Sequence, residues 1–173
     1  MQSIKVIELT QYSNRARESP VASEAACEHK VEILYKKVVA HFKGDLKGRT
    51  FGIWGLSFKP QTDDMREAPS LVIIPKLLEA GARIRAYDPV AMKEAWHHLG
   101  DKIEYIEDQY EALIDADCMV MITEWPEFRF PNFNIIKKLL KNPVIFDGRN
   151  IYDRFELKNN GFEYFCIGVD TTL

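Results

Sequence analysis

From residue 50 onward, apolar positions fall into short unbroken runs, separated by stretches where they recur every three or four residues. The runs TFGIWGL (50–56), RIRAYDP (83–89), IEYI (103–106), CMVMITE (118–124), PVIFDGR (143–149) and EYFCIG (163–168) are rich in β-branched and aromatic residues and predict strands. Between the first two, PSLVIIPKLLEAG carries Leu71, Ile74 and Leu78 on one stripe and ends at Gly81, a helix stop. Pro75 inside it removes a backbone donor and is expected to bend that helix. Further helical pieces are expected around 91–98, 109–115, 133–141 and 153–159. Near-continuous apolar strands alternating with helices pair in parallel, with both sheet faces covered. The expected fold is therefore α/β, a Rossmann-like doubly wound, mostly parallel sheet of about six strands.

A long helix precedes it. Ser23 reads as an N-cap, and Val31, Leu34, Val38 and Phe42 form the inner stripe of a helix of about 20 residues that stops at Gly44. Residues 1–23 show no sustained period; IKVIEL suits a short strand and RARESPVAS a polar linker. The chain thus divides into an unassigned segment 1–23, a helix and linker 24–48, and an α/β domain 49–173.

Composition narrows the function. The 173 residues suffice for one domain with a sizeable core, and 46% hydrophobic with 28% charged residues is ordinary globular usage. A net charge of −3 gives no electrostatic case for a nucleic-acid or membrane binder. No apolar run approaches the ~20 residues that span a bilayer, and no signal-peptide core is seen, so the expected place is the cytoplasm. Cys27, Cys118 and Cys166 lack zinc-ligand spacing and read as reduced thiols, two of them in apolar runs. His97 and His98 are adjacent, on different sides of a helix, and no metal site is expected.

The first strand-to-helix turn is the densest chemistry. In WGLSFKPQTDDMREAPS (54–70), Gly55 permits a tight exit and Pro69 suits the first helical position. Ligands of doubly wound sheets gather at the carboxyl ends of strands, and anions at the helix N-terminus that follows. Lys59 offers a compact charge there and Arg66 a planar fork. Asp63 and Asp64 read as helix caps or partners of Arg66. The turn fits neither G-x-G-x-x-G nor a Walker loop. Elsewhere, Asp88 at the second strand's end is a turn former or a ribose acceptor, Trp125 and Phe128 are packing residues, and Asp147 orients Arg149 or caps a turn.

The run G-L-S-F-K-P-Q-T-D-D-M-R-E-A-P-S closely resembles the signature that opens the C-terminal domain of nucleotide-sugar 6-dehydrogenases, above all the branch acting on UDP-glucose. AYDP (86–89), ADCMVMITEWPEF (116–128) and VIFDGRN (144–150) match in order, so the likeness runs from about residue 24 to Gly168. It implies a UDP-binding domain preceded by the end of a central helix that builds a homodimer through 24–43 or through an N-terminal half. It implies Phe58, Lys59 and Arg149 as substrate contacts, and Arg66 as a contact to NAD held mainly by another domain. The family oxidises a sugar alcohol to a carboxylate in two hydride transfers with two NAD, through a thioester on a cysteine. Neither that cysteine motif nor the NAD fingerprint is matched here, so no catalytic residue is assigned, and the chain alone is expected not to turn UDP-glucose into UDP-glucuronate. GDP-mannose and UDP-N-acetylmannosamine dehydrogenases share the pattern, and a free-standing nucleotide-sugar binding module is the further alternative.

Overall fold

The computed structural model describes residues 20–169, with side chains from residue 28 onward. Six strands, Thr50–Trp54 (β1), Arg83–Tyr87 (β2), Glu104–Tyr105 (β3), Cys118–Met121 (β4), Val144–Asp147 (β5) and Glu163–Cys166 (β6), form one sheet in the order β3-β2-β1-β4-β5-β6. Every pairing is parallel: Phe51 lies opposite Ile84 and Cys118, and Ile145 opposite Met119 and Tyr164. The strand order reverses between β1 and β4, which opens a crevice at their carboxyl ends.

Alternation along the strands feeds two cores. Phe51, Ile53, Ile84, Ala86, Cys118, Val120, Val144 and Phe146 face one way, under helices Pro20–His41 (α1), Ser70–Glu79 (α2) and Met92–Leu99 (α3). Trp54, Met119, Met121 and Ile145 face the other, covered by Leu113 from the β3–β4 connection and by Phe128, Ile136 and Leu157 from the connections that hold Phe133–Leu139 (α4) and Arg154–Asn159 (α5). The predicted stripe of α1 is spent on this chain's own sheet: Val31, Leu34, Val38 and Phe42 are all buried there. Two lysines fasten the helix sideways. Lys76 of α2 pairs with Glu32, and Lys37 donates to the carbonyls of Cys166 (2.8 Å) and Val169.

Three expectations need correcting. The helix starts at Pro20 rather than being capped at Ser23; proline's preset φ suits a first helical turn, and the reading IKVIEL lies outside the described residues. The stretch 109–115 is only a 3-10 turn, Glu111–Leu113, started by Asp108 accepting from the amides of Tyr110 and Glu111. Gly52 allows that turn to lie flat on β1, since a Cβ there would meet Leu113 Cδ2 at 2.5 Å. Pro75 does lie inside α2, which runs from Ser70 to Glu79 with one ladder donor fewer. Lastly, several strands stop two or three residues before their apolar runs do. Leu56, Ile122, Thr123 and Trp125 are buried in loops, so the pattern continues where the sheet does not.

Candidate functional site

The loop after β1 is held atom by atom. Gly55, at φ +87°, donates to Tyr87 O, and a Cβ on it would stand 2.7 Å from Thr123 N, so only glycine fits between the β1 and β4 exits. Leu56 N and Ser57 N donate to Asp88 Oδ2 at 2.7 and 3.2 Å. The carbonyls of Leu56 and Ser57 accept from Ser70 Oγ and Thr123 Oγ1, and Phe58 N donates to Asp64 O. The clamp ends at Phe58, whose ring leans on the α1–α2 core. Lys59 is the next residue. Its side chain is exposed, with no hydrogen bond or ion pair among the described residues.

Arg149 arrives from the far side of the crevice. Asp147, fully buried at the end of β5, accepts from the amides of Arg149, Asn150 and Ile151 and from Tyr164 Oη, at 2.7 to 2.9 Å. That nest turns the chain so that the Arg149 guanidinium lies across two carbonyls, Nε donating to Ile122 O at 2.8 Å and Nη2 to Phe58 O at 3.0 Å. Asp147 therefore caps the turn and holds the arginine's backbone, not its charge. The charge is faced by Glu124, whose Oε2 is 2.8 Å from Nε. Two of the five guanidinium N–H donors are used on carbonyls, and the other three make no hydrogen bond to a described residue. A cavity of about 30 Å³ under Leu34 and Val31 of α1 flanks the arginine.

Arg66 lies elsewhere. Its side chain is 88% exposed and forks onto Asp64, Nε to Oδ1 at 3.0 Å and Nη2 to Oδ2 at 2.9 Å. The arginine's hydrogen bonds hold the Asp64 carboxyl down to about 2. The expected pairing is thus present, but the expected helix cap is not: α2 begins at Ser70, with Pro69 at its N-cap, four residues beyond Arg66. Arg66 lines an open polar cleft of about 410 Å³ between this loop and Glu94 and His98 of α3, whereas Arg149 lines the α1 side. Arg149 and the Phe58 carbonyl are brought together, with Lys59 the next residue along the loop; Arg66 shares that loop but faces a different hollow.

The remaining candidates are structural. Asp88 is fully buried and accepts from Leu56 N, Ser57 N, Val90 N, Ala91 N and Trp125 Nε1. A dinucleotide placed on this sheet in the usual way needs the carboxylate at this strand's end for a ribose hydroxyl. Here that carboxylate is sealed and saturated, so this crevice does not fit NAD in that mode. Trp125 and Phe128 are core residues, Phe128 packing 4.9 Å from the Trp54 ring. Cys118 is buried, which pushes its thiol well up, and Cys166 shifts the same way for the same reason. Neither is poised as a nucleophile. Among the described residues no His/Cys/Asp/Glu group could hold a metal, and no helix is long and apolar enough to cross a membrane. Sequence reasoning missed Glu124; a carboxylate three residues beyond β4, at the same sheet rim as Arg149, was the available signal.

Sheet order and crevice define a doubly wound α/β domain of the Rossmann type, with its cationic groups at the carboxyl rim. The chain belongs to the UDP-glucose/GDP-mannose dehydrogenase family: the model of that family's UDP binding domain matches residues 52–154. The UDP-glucose 6-dehydrogenase TuaD of Bacillus subtilis is 46% identical over 125 residues, covering 72% of this chain and 27% of the relative. That of Pseudomonas aeruginosa is 40% identical over 152 residues, covering 85% and 34%. The solved UDP-glucose dehydrogenase of Pyrobaculum islandicum superposes with a TM-score of 0.67 at 32% identity, over 79% of this chain and 30% of that one. The chain thus spans about a third or less of the length of these relatives.

Proposed function

We propose that residues 49–169 form the part of a UDP-glucose 6-dehydrogenase that binds the UDP moiety, in an enzyme oxidising UDP-glucose to UDP-glucuronate with NAD. The observation that carries this reading is the bond from Arg149 Nη2 to Phe58 O, which brings residues 91 positions apart to one rim beside Lys59. The guanidinium is immobilised by two carbonyls before any ligand arrives, so little side-chain freedom remains to be lost on binding. Its three remaining donors and the Lys59 ammonium are a matched pair for a diphosphate: a planar fork and a movable point charge. Phe58 contributes its clamped backbone and the edge of a half-buried ring.

Arg66 supports the second half of the reading. It lines its own open cleft with its guanidinium exposed and forked onto Asp64, where NAD carried by another domain could reach it. When bound there, NAD would supply the hydride acceptor; this chain's Arg66 would add charge complementarity to its phosphates. UDP-glucose is preferred as the sugar because relatives at 40% identity and above are named for it. The homodimer reading places a second copy on the polar side of α1, opposite Val31, Leu34 and Val38, since that stripe is occupied. Free Cys118 and Cys166 suit the cytoplasm.

Titration calorimetry of the purified chain with UDP, UDP-glucose and UDP-glucuronate tests the reading. Saturable heat is expected with each, and Lys59→Ala is expected to weaken UDP binding about tenfold, the worth of one exposed charge-assisted contact. No saturable heat with any of the three would remove the basis for the assignment.

A further inference from the structure

One charged group at this rim is not accounted for by packing, capping or ligand contact. Glu124 leaves the end of β4 with its side chain only 27% exposed. Its Oε2 is shut off from water and accepts no hydrogen bond from any described residue. The nearest donor, Arg149 Nε, is 2.8 Å away but aims its hydrogen at Ile122 O. A sealed carboxylate oxygen without a donor is unfavourable, and a native structure that keeps one has a reason. Here the compensating interaction is the charge of Arg149.

We propose that Glu124 is a resident counter-charge that sets how strongly Arg149 attracts a diphosphate, and so is an affinity-determining residue of the site. This rests on the reading of Arg149 as a diphosphate contact. An anion approaching the free N–H groups meets a guanidinium whose charge is already largely balanced, and its own oxygens are repelled by the carboxylate. The penalty grows with ligand charge: a nucleoside feels none of it, a nucleoside diphosphate most of it. Weakened ground-state attraction shows mainly as faster release, because dissociation carries most affinity differences within one site. The arginine stays aimed by its two carbonyls, so the carboxylate tunes strength without being needed for geometry.

Calorimetry with UDP and with uridine, each at low and moderate salt, on wild type, Glu124→Gln and Glu124→Ala tests this. Both variants are expected to bind UDP about fivefold more tightly, the order of one partly screened charge interaction, with a steeper loss on adding salt. Uridine binding is expected to stay unchanged, as is the urea midpoint. If wild type binds UDP and neither variant binds it more tightly, the counter-charge role is overturned while the substrate reading stands. A drop in uridine affinity overturns it too, since Glu124 would then be an acceptor for the nucleoside. A wild-type chain that binds no UDP overturns the substrate reading itself.

Discussion

Asp88→Ala is expected to cost about 4 kcal/mol of folding stability, because four buried donors lose their acceptor at once and each orphan costs on the order of 1–3 kcal/mol before relaxation. Those donors are the amides of Leu56, Ser57 and Ala91 and the Trp125 indole. They come from three separate connections, so no single local adjustment can satisfy them. Against a typical stability of about 5–15 kcal/mol this is a large share. With a urea slope of about 2 kcal/mol/M, the unfolding midpoint should fall by about 2 M. Asp88→Asn keeps one acceptor oxygen but turns an amide against N–H groups, and should lose about half as much. A midpoint unchanged in Asp88→Ala would mean that water replaces the carboxylate without cost, and that the rim is not organised by it.

The second large effect is on binding. Arg149→Ala should lower UDP affinity at least about a hundredfold in calorimetry, since it deletes the charge and frees the Phe58 carbonyl that positions Lys59. Arg149→Lys separates the two contributions. It restores a charge but cannot span Ile122 O and Phe58 O with one planar group, so it should recover only about tenfold. Equal affinities for UDP in wild type and Arg149→Ala would place the diphosphate elsewhere, whatever the fold.

The sheet was legible because its evidence is local: apolar runs of strand length, with Gly or Pro punctuation between them. The meeting of Arg149 with the loop after β1 has a topological reason, as both follow parallel strands and parallel strands share a carboxyl rim. Arg66 meeting Asp64 followed from two residues' separation. What could not be read depends on register. Asp88 reaches Trp125 across 37 positions, and Asp147 reaches Tyr164 across 17, and only the finished sheet says which amides lie within reach. The same holds for Glu124, which meets Arg149 because β4 and β5 are aligned with Met121 beside Asp147. The start of α1 failed for a different reason: Pro20 occupies the terminal position where Ser23 looked more eloquent, whereas Pro69 marked the start of α2 to within one residue.

The seat of α1 on the sheet has a mechanical consequence. Leu34 comes so near the residue before Arg149 that a methyl group on Gly148 would touch it at 3.3 Å, and Lys37 and Glu32 brace the same helix against β6 and α2. A helix braced on both flanks and packed against Gly148 is placed to pass a tilt on to that glycine. A shift of α1 is therefore expected to be felt at the backbone beside Arg149, which couples the helix to the rim through Gly148.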